Sequence, residues 1–141
     1  MAIIQTATTN FKSSLLSGTE DFNPPSAYVY KIALYNANAV LNSTITAYTT
    51  VNEITGIGYT AGGQTLSPSI AYDNTNNTAY VTFTNVTWNP ASFTCRGALI
   101  YNSTTNAACF VLNFGSDKTC NSSFTVTFPT ANSTSAILRI S

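Results

Sequence analysis

The sequence predicts a mainly β protein: an antiparallel β-sandwich or barrel-like domain with one short N-terminal helix. Three observations predict it. Apolar residues alternate with period two through the C-terminal two-thirds, the links between these runs carry turn chemistry, and a single N-terminal stretch has helical spacing instead.

Residues 1–9 precede any packed element and carry the exposed-looking pair Ile3 and Ile4. A segment of this kind pairs along another chain's sheet edge or stays loose, so 1–9 is expected to be an arm and 10–141 a single β-domain. Residues 9–17 place Phe11, Leu15 and Leu16 towards one helical face, with Gly18 as the stop. Glu20 and Asp21 read as a polar loop running into Phe22-Asn-Pro-Pro25. Over 28–35, Tyr28, Tyr30, Ile32 and Leu34 share one face, and 38–41 reads as a bridging turn. Residues 51–66 hold Gly56, Gly58, Gly62 and Gly63 and read as a long loop with special backbone angles. Further strands are expected at 65–72 and 79–84, the latter with Ala79, Val81 and Phe83 on one face. In 93–101, the alternation puts Phe93, Cys95, Leu99 and Tyr101 together, opposite Arg96. Phe110, Leu112 and Phe114, then Phe124, Val126 and Phe128, then Ala136, Leu138 and Ile140 complete the pattern. Turn residues at 102–106, 115–118 and 129–132 join these last strands as hairpins.

The composition restricts function. The 141 residues include five acids, five bases and no histidine, whereas Thr, Asn and Ser number 24, 16 and 15. Zero net charge argues against recruitment to nucleic acid or an anionic membrane, both of which need clustered Lys and Arg. The longest apolar runs are too short for a transmembrane helix. The N-terminus has neither a basic n-region nor an apolar h-region, so synthesis in the cytosol is expected. Six Asn-x-Ser/Thr sequons occur, at Asn42, Asn76, Asn85, Asn102, Asn121 and Asn132; a composition this rich in Asn, Ser and Thr produces several by chance, and without a secretion signal glycosylation is not expected.

Chemistry is scarce. Without histidine, neither a Ser-His-Asp nor a Cys-His arrangement can be built, and nothing distinguishes Lys12, Lys31 or Lys118 from solvated lysines. A glycosidase-type carboxylate pair would have to come from Glu20, Asp21, Glu53, Asp73 and Asp117. The glycines of 56–63 lack the Lys-Ser/Thr of a phosphate loop. No enzyme, cofactor or metal is expected. Residues 73–77 hold oxygen ligands suited to calcium, although one carboxylate among five residues reads more simply as a polar turn. Trp88 reads as a core residue, with sugar stacking as its alternative. Cys95, Cys109 and Cys120 lack zinc-site spacing and read as small core hydrophobes. If Tyr101 faces Ala107 across the hairpin, Cys95 falls opposite Asn113 and Cys109 opposite Leu99, and no two cysteines face each other.

Several stretches together carry a resemblance. They are Lys31-Ile-Ala-Leu-Tyr35 with Thr46-Ala-Tyr-Thr-Thr50, then Asn52-Glu-Ile-Thr-Gly-Ile-Gly-Tyr-Thr-Ala-Gly-Gly-Gln-Thr-Leu66, Arg96-Gly-Ala-Leu-Ile-Tyr-Asn-Ser-Thr104 and Leu112-Asn-Phe-Gly-Ser-Asp-Lys-Thr119. Phe128-Pro-Thr-Ala-Asn132 and Ala136-Ile-Leu-Arg-Ile140 close the series. In this order they resemble a family of small virion structural proteins of tailed bacteriophages, including cyanophages. The likeness runs over most of the chain, and 52–66 is its most specific part.

The resemblance implies a head decoration or cement protein on the capsid exterior, made in the host cytoplasm. Its partners would be the major capsid protein and copies of itself, with a trimer favoured over a dimer. Ile3, Ile4, Tyr59 and Thr60 are the candidate assembly contacts. The rival expectations are a fibre or spike module binding host glycans through Trp88 and tyrosines, and a tail-tube or connector component.

Overall fold

In the computed structural model, which describes residues 2–24 and 27–141, the chain organises around the strand β2 (Tyr30–Tyr35). Met1 of the expected arm and Pro25 of the expected polar loop lie outside the described residues. Chain order begins with β1 (Thr6–Ala7), α1 (Thr9–Leu16) and β2, followed by β3 (Gln64–Thr65), β4 (Pro68–Asp73), β5 (Thr78–Phe83) and β6 (Val86–Trp88). It ends with β7 (Phe93–Asn102), β8 (Ala107–Cys120), β9 (Phe124–Val126) and β10 (Leu138–Ile140). Five strands form the sheet β1-β8-β7-β2-β3, three form β10-β5-β4 and two form β6-β9. All the strand pairs are antiparallel, as the alternation predicts, and the fold is sandwich-like with one short helix.

The centre of the five-stranded sheet, β2 with the adjoining parts of β7 and β8, is buried on both faces. Tyr30, Ile32 and Leu34 face the main core, with Phe83, Val86, Trp88, Val126 and Phe128 from the smaller sheets. Ala33 and Tyr35 face a second, smaller core with Ile3, Ala39, Leu41, Leu99 and Val111. The second side of β2 does not face solvent. The segment from Asn36 to Thr50 covers that side instead, docking its backbone on the β7–β8 turn (Tyr48 N to Asn106 O, 3.1 Å; Ala108 N to Thr46 O, 3.0 Å).

The helix is too short to persist alone, so its stability comes from its cap and its one buried residue. Thr8 Oγ1 accepts from Phe11 N at 3.0 Å, and the Phe11 ring packs on Phe110 with centroids 4.7 Å apart. Leu15 packs at the core margin, whereas Leu16 points into solvent, so only two of the three expected residues share the buried face.

The β7–β8 register departs from the expected one. Asn102 pairs with Ala107 and Tyr101 with Ala108; Cys109 bulges out, so Leu99 faces Val111. Further along, Cys95 faces Lys118 while Gly97 faces Asn113, so the four residues Phe114 to Asp117 lie opposite Arg96 alone. Three surplus residues, an odd number, exchange the two faces of β7. Phe93 and Cys95 therefore share the main core with Ala98 and Ile100, while Leu99 and Tyr101 line the second core. The sequence alternation had placed Phe93, Cys95, Leu99 and Tyr101 together. Gly115, at φ +83°, turns the bulge, and the Arg96–Asp117 ion pair at 2.9 Å spans it. Cys95 and Cys120 become diagonal neighbours on the same face, and all three cysteines are free.

Two glycines with positive φ separate conformational strain from collision. Gly63 (φ +76°) lies so close to β2 that a Cβ would strike the Ile32 carbonyl, whereas Gly115 has open space around it. Gly115→Ala is expected to cost about 1–2 kcal/mol, the left-handed penalty alone. Gly63→Ala should cost more than about 3 kcal/mol, because the strap of residues 52–66 must also move off β2. Urea unfolding of the two variants side by side measures the difference.

Candidate assembly surface

Of the expected contacts, the structure brings Ile3 inward. Ile3 is 7% exposed and bridges Leu41, with Ile4 N bonded to Leu41 O at 2.9 Å. Its Cδ1 and Cγ2 occupy the space beside Gly97, where a Cβ would come within 2.9 Å of both. Gln5 Oε1 accepts from Asn113 N, and β1 pairs with β8 at Val111 and Phe110. The expected free arm is thus corrected: residues 2–4 bond the Leu41 segment and Thr6 to Thr8 bond the edge of β8, all within the same chain. A neutral edge on β8 is available within the same chain, so the intramolecular pairing forms without the entropy cost of association. Ile4 remains outward, at 55% exposure.

The 51–66 loop is likewise no free excursion. It runs beside β2 and saturates its second edge: Leu66 N bonds Tyr30 O at 2.8 Å, Ile32 pairs with Gln64, and Ile54 N bonds Leu34 O at 3.0 Å. Where the strap's backbone leaves the strand, the Tyr59 hydroxyl accepts from Leu34 N at 3.0 Å. Asn52, Gly56, Gly58, Gly62 and Gly63 all have positive φ along this path.

Glu53 anchors the strap. Its Oε1 accepts from Tyr59 Oη at 2.5 Å and Gly62 N at 2.7 Å, and its Oε2 accepts from Tyr48 Oη at 2.6 Å. Tyr101 donates to Gly62 O at 2.7 Å and stacks on Tyr48 with centroids 4.6 Å apart. Burial, then the Glu53 hydrogen bond, raises the Tyr48 and Tyr59 hydroxyls well above their ordinary range. Burial, with the Glu53 charge second, pushes Tyr101 up to about 12. Tyr59 is therefore half-buried and engaged, while Thr60, Val51 and Ile57 form the exposed rim of the strap.

Other acidic groups are also engaged as hydrogen-bond acceptors. Glu20 Oε2 accepts from Tyr30 Oη at 2.7 Å and Asn102 Nδ2 at 3.1 Å. Asp73 accepts from Thr75 N, Asn76 N, Asn76 Nδ2 and Ser133 Oγ, and the Ser133 and Asn76 side-chain bonds hold its carboxyl below the usual range. Donors surround this carboxylate, so 73–77 is a self-satisfied polar turn and lacks the converging oxygens of a calcium loop. Trp88 is 2% exposed, packed by Tyr59, Phe93 and Phe124, which removes it from any sugar-binding face. Asn102 is fully buried, so its sequon cannot take a glycan in the folded chain.

Exposed apolar residues that the sequence reading did not single out include Val29, Val40, Ile70 and Tyr72. The last two lie on β4, and Pro68 was the available signal, since proline inside a strand marks a sheet edge. No family model, curated protein or solved structure matches the chain.

Tyr59→Phe removes the acceptor of a buried amide and a donor to Glu53, and should cost about 2–4 kcal/mol in urea unfolding. Glu53→Gln should also destabilise, because Gln offers one acceptor oxygen to three donors. The raised tyrosines also set a pH limit. Their neutral forms are favoured by folding, so their contribution is complete below the ordinary tyrosine value of 10 and is lost as pH rises through the higher folded values. Base titration should show tyrosinate absorbance from these groups rising together with loss of near-UV ellipticity, well above pH 10; absorbance assigned to Tyr48, Tyr59 or Tyr101 by its loss in the Phe variants, rising in a still-folded chain, would contradict this.

Proposed function

We propose that the chain is a structural component of a bacteriophage particle, a head decoration or cement protein bound to the outer capsid, where it stabilises contacts between major capsid protein subunits. One observation carries the reading: the carboxylates of Glu20, Glu53, Asp73 and Asp117 bond within the chain's own fold, while large apolar side chains stand outside it. Interface centres are depleted in charge and enriched in such side chains. A neutral β-domain can supply the roughly 1,200–2,000 Å² of a standard interface without any chemistry. Ile4 and the rim formed by Val51, Ile57 and Thr60 are the contacts facing capsid, while Ile3 and Tyr59 hold those surfaces from behind. Copies would cluster, in threes by the sequence reading. The burial of Trp88 weighs against a glycan-binding spike.

Locating the protein in a particle reconstruction tests the reading. Density on the capsid lattice, with copy number proportional to the major capsid protein, is expected; a few copies at the tail or fibres would overturn it. Ile57→Asp should weaken binding to particles lacking the protein by about tenfold or more, and leave the isolated chain's unfolding midpoint unchanged.

A further inference from the structure

The six-residue strand β4 presents an open outer edge. In the β10-β5-β4 sheet, β4 has β5 on one side and no strand on the other among the described residues. Thr84 N bonds Ser67 O at 3.1 Å, which fixes the phase of the β4–β5 ladder. Ser69, Ala71 and Asp73 direct their backbone groups to β5, so Pro68, Ile70 and Tyr72 direct theirs outward. Pro68 fits that phase, because its position needs no donor towards β5. Ser69 to Tyr72 are all exposed, with Ile70 at 46% and Tyr72 at 73%. Edges are ordinarily blunted by lysine, proline, a bulge or a covering segment; β4 carries proline only at its first residue and has none of these between Ser69 and Tyr72. Ile70 also lines a small apolar hollow of about 130 Å³ with Leu15, Ala79, Val81, Leu138 and Ile140.

We infer that β4 is a self-association edge, which pairs antiparallel with β4 of a second copy about a two-fold axis at Ala71. The register follows from the outward groups. Ile70 opposite Tyr72 of the second copy lets both residues exchange N–H and C=O bonds, and symmetry repeats the exchange on the other side of the axis. A register with Ile70 opposite its own copy would set Pro68 against Tyr72 and lose a donor. The chosen register also places each Ile70 beside a Tyr72, a favourable aromatic and β-branched pair, and each Asp73 beside Ser69, with no like charges facing. The resulting sheet runs β10-β5-β4 into its copy and extends the apolar hollow across the axis. A six-residue strand pair falls short of a standard interface, so the free chain dimerises weakly, with a dissociation constant on the order of 10–1,000 μM.

The inference rests on edge geometry alone, so it and the particle reading can fail separately. Ala71 forms the non-hydrogen-bonded pair with its own copy, where Cα atoms lie about 4.5 Å apart, within disulfide reach. Ser69 lies about 13 Å from its own copy. The test is the full-length chain carrying Ala71→Cys or Ser69→Cys in a glutathione redox buffer, with sedimentation equilibrium of the unmodified chain. Expected are a mass that rises with concentration and a covalent dimer from A71C formed at least about tenfold faster than from S69C or the unmodified chain. Ile70→Lys should raise the dissociation constant about tenfold or more while the circular dichroism stays unchanged. A chain monomeric throughout that range, or equal crosslinking of A71C and S69C, would overturn the pairing.

Discussion

Much of the structure depends on the second hydrogen-bonding edge of β2. Tyr30, Ile32 and Leu34 are buried to 1% exposure or less, so each backbone group there needs a partner; an orphaned one costs about 1–3 kcal/mol. β7 satisfies one edge with six paired residues. No full-length strand is available for the other, and the strap of residues 52–66 does the work with β3, single backbone bonds and the Tyr59 hydroxyl. Close approach to Ile32 excludes a side chain at Gly63, and the strap's path places Glu53 where it can gather Tyr48, Tyr59 and Gly62.

This arrangement links stability to surface chemistry. Glu53 gathers Tyr48, Tyr59 and Gly62 locally within and beside the strap, while Glu20 joins Tyr30 to Asn102, 82 positions away. Hydrogen bonds to charged groups contribute about twice as much as neutral ones. With five acids in all, using these as internal acceptors leaves a surface of hydroxyls, amides and scattered apolar groups. Such a surface does little to repel another protein surface, a second copy of the chain included.

The departures from the sequence reading share a cause. Period-two alternation reports which residues share a face only while the register is uninterrupted. The surplus residues opposite Arg96 lie in β8, so nothing in the sequence of 93–101 signals that its faces exchange. Ile3 looked exposed because it precedes every packed element, yet its partner surface, above Gly97, is assembled from strands nearly a hundred residues away. Tyr59 was singled out within the most distinctive segment, but a tyrosine's sequence context does not reveal whether its hydroxyl meets solvent or a strand amide.

Legible in the order of residues alone are the fold class, the short helix with Phe11 inward and Gly18 after it, and the strands over 79–84 and 93–101 with the turn at 102–106, whereas the hairpins expected across 115–118 and 129–132 give way to a bulge inside β8 and to pairing of β9 with β6 and β10 with β5. The legible features rest on local periodicity, capping and turn chemistry. Long-range assembly sets the rest: that β2 is covered on both faces, that Thr6 and Ala7 pair with the chain's own β8, that 52–66 is a strap, and that β4 is left as an open edge. Each of these depends on which backbone edges remain unpaired after the sheets assemble, and that is a property of the whole chain.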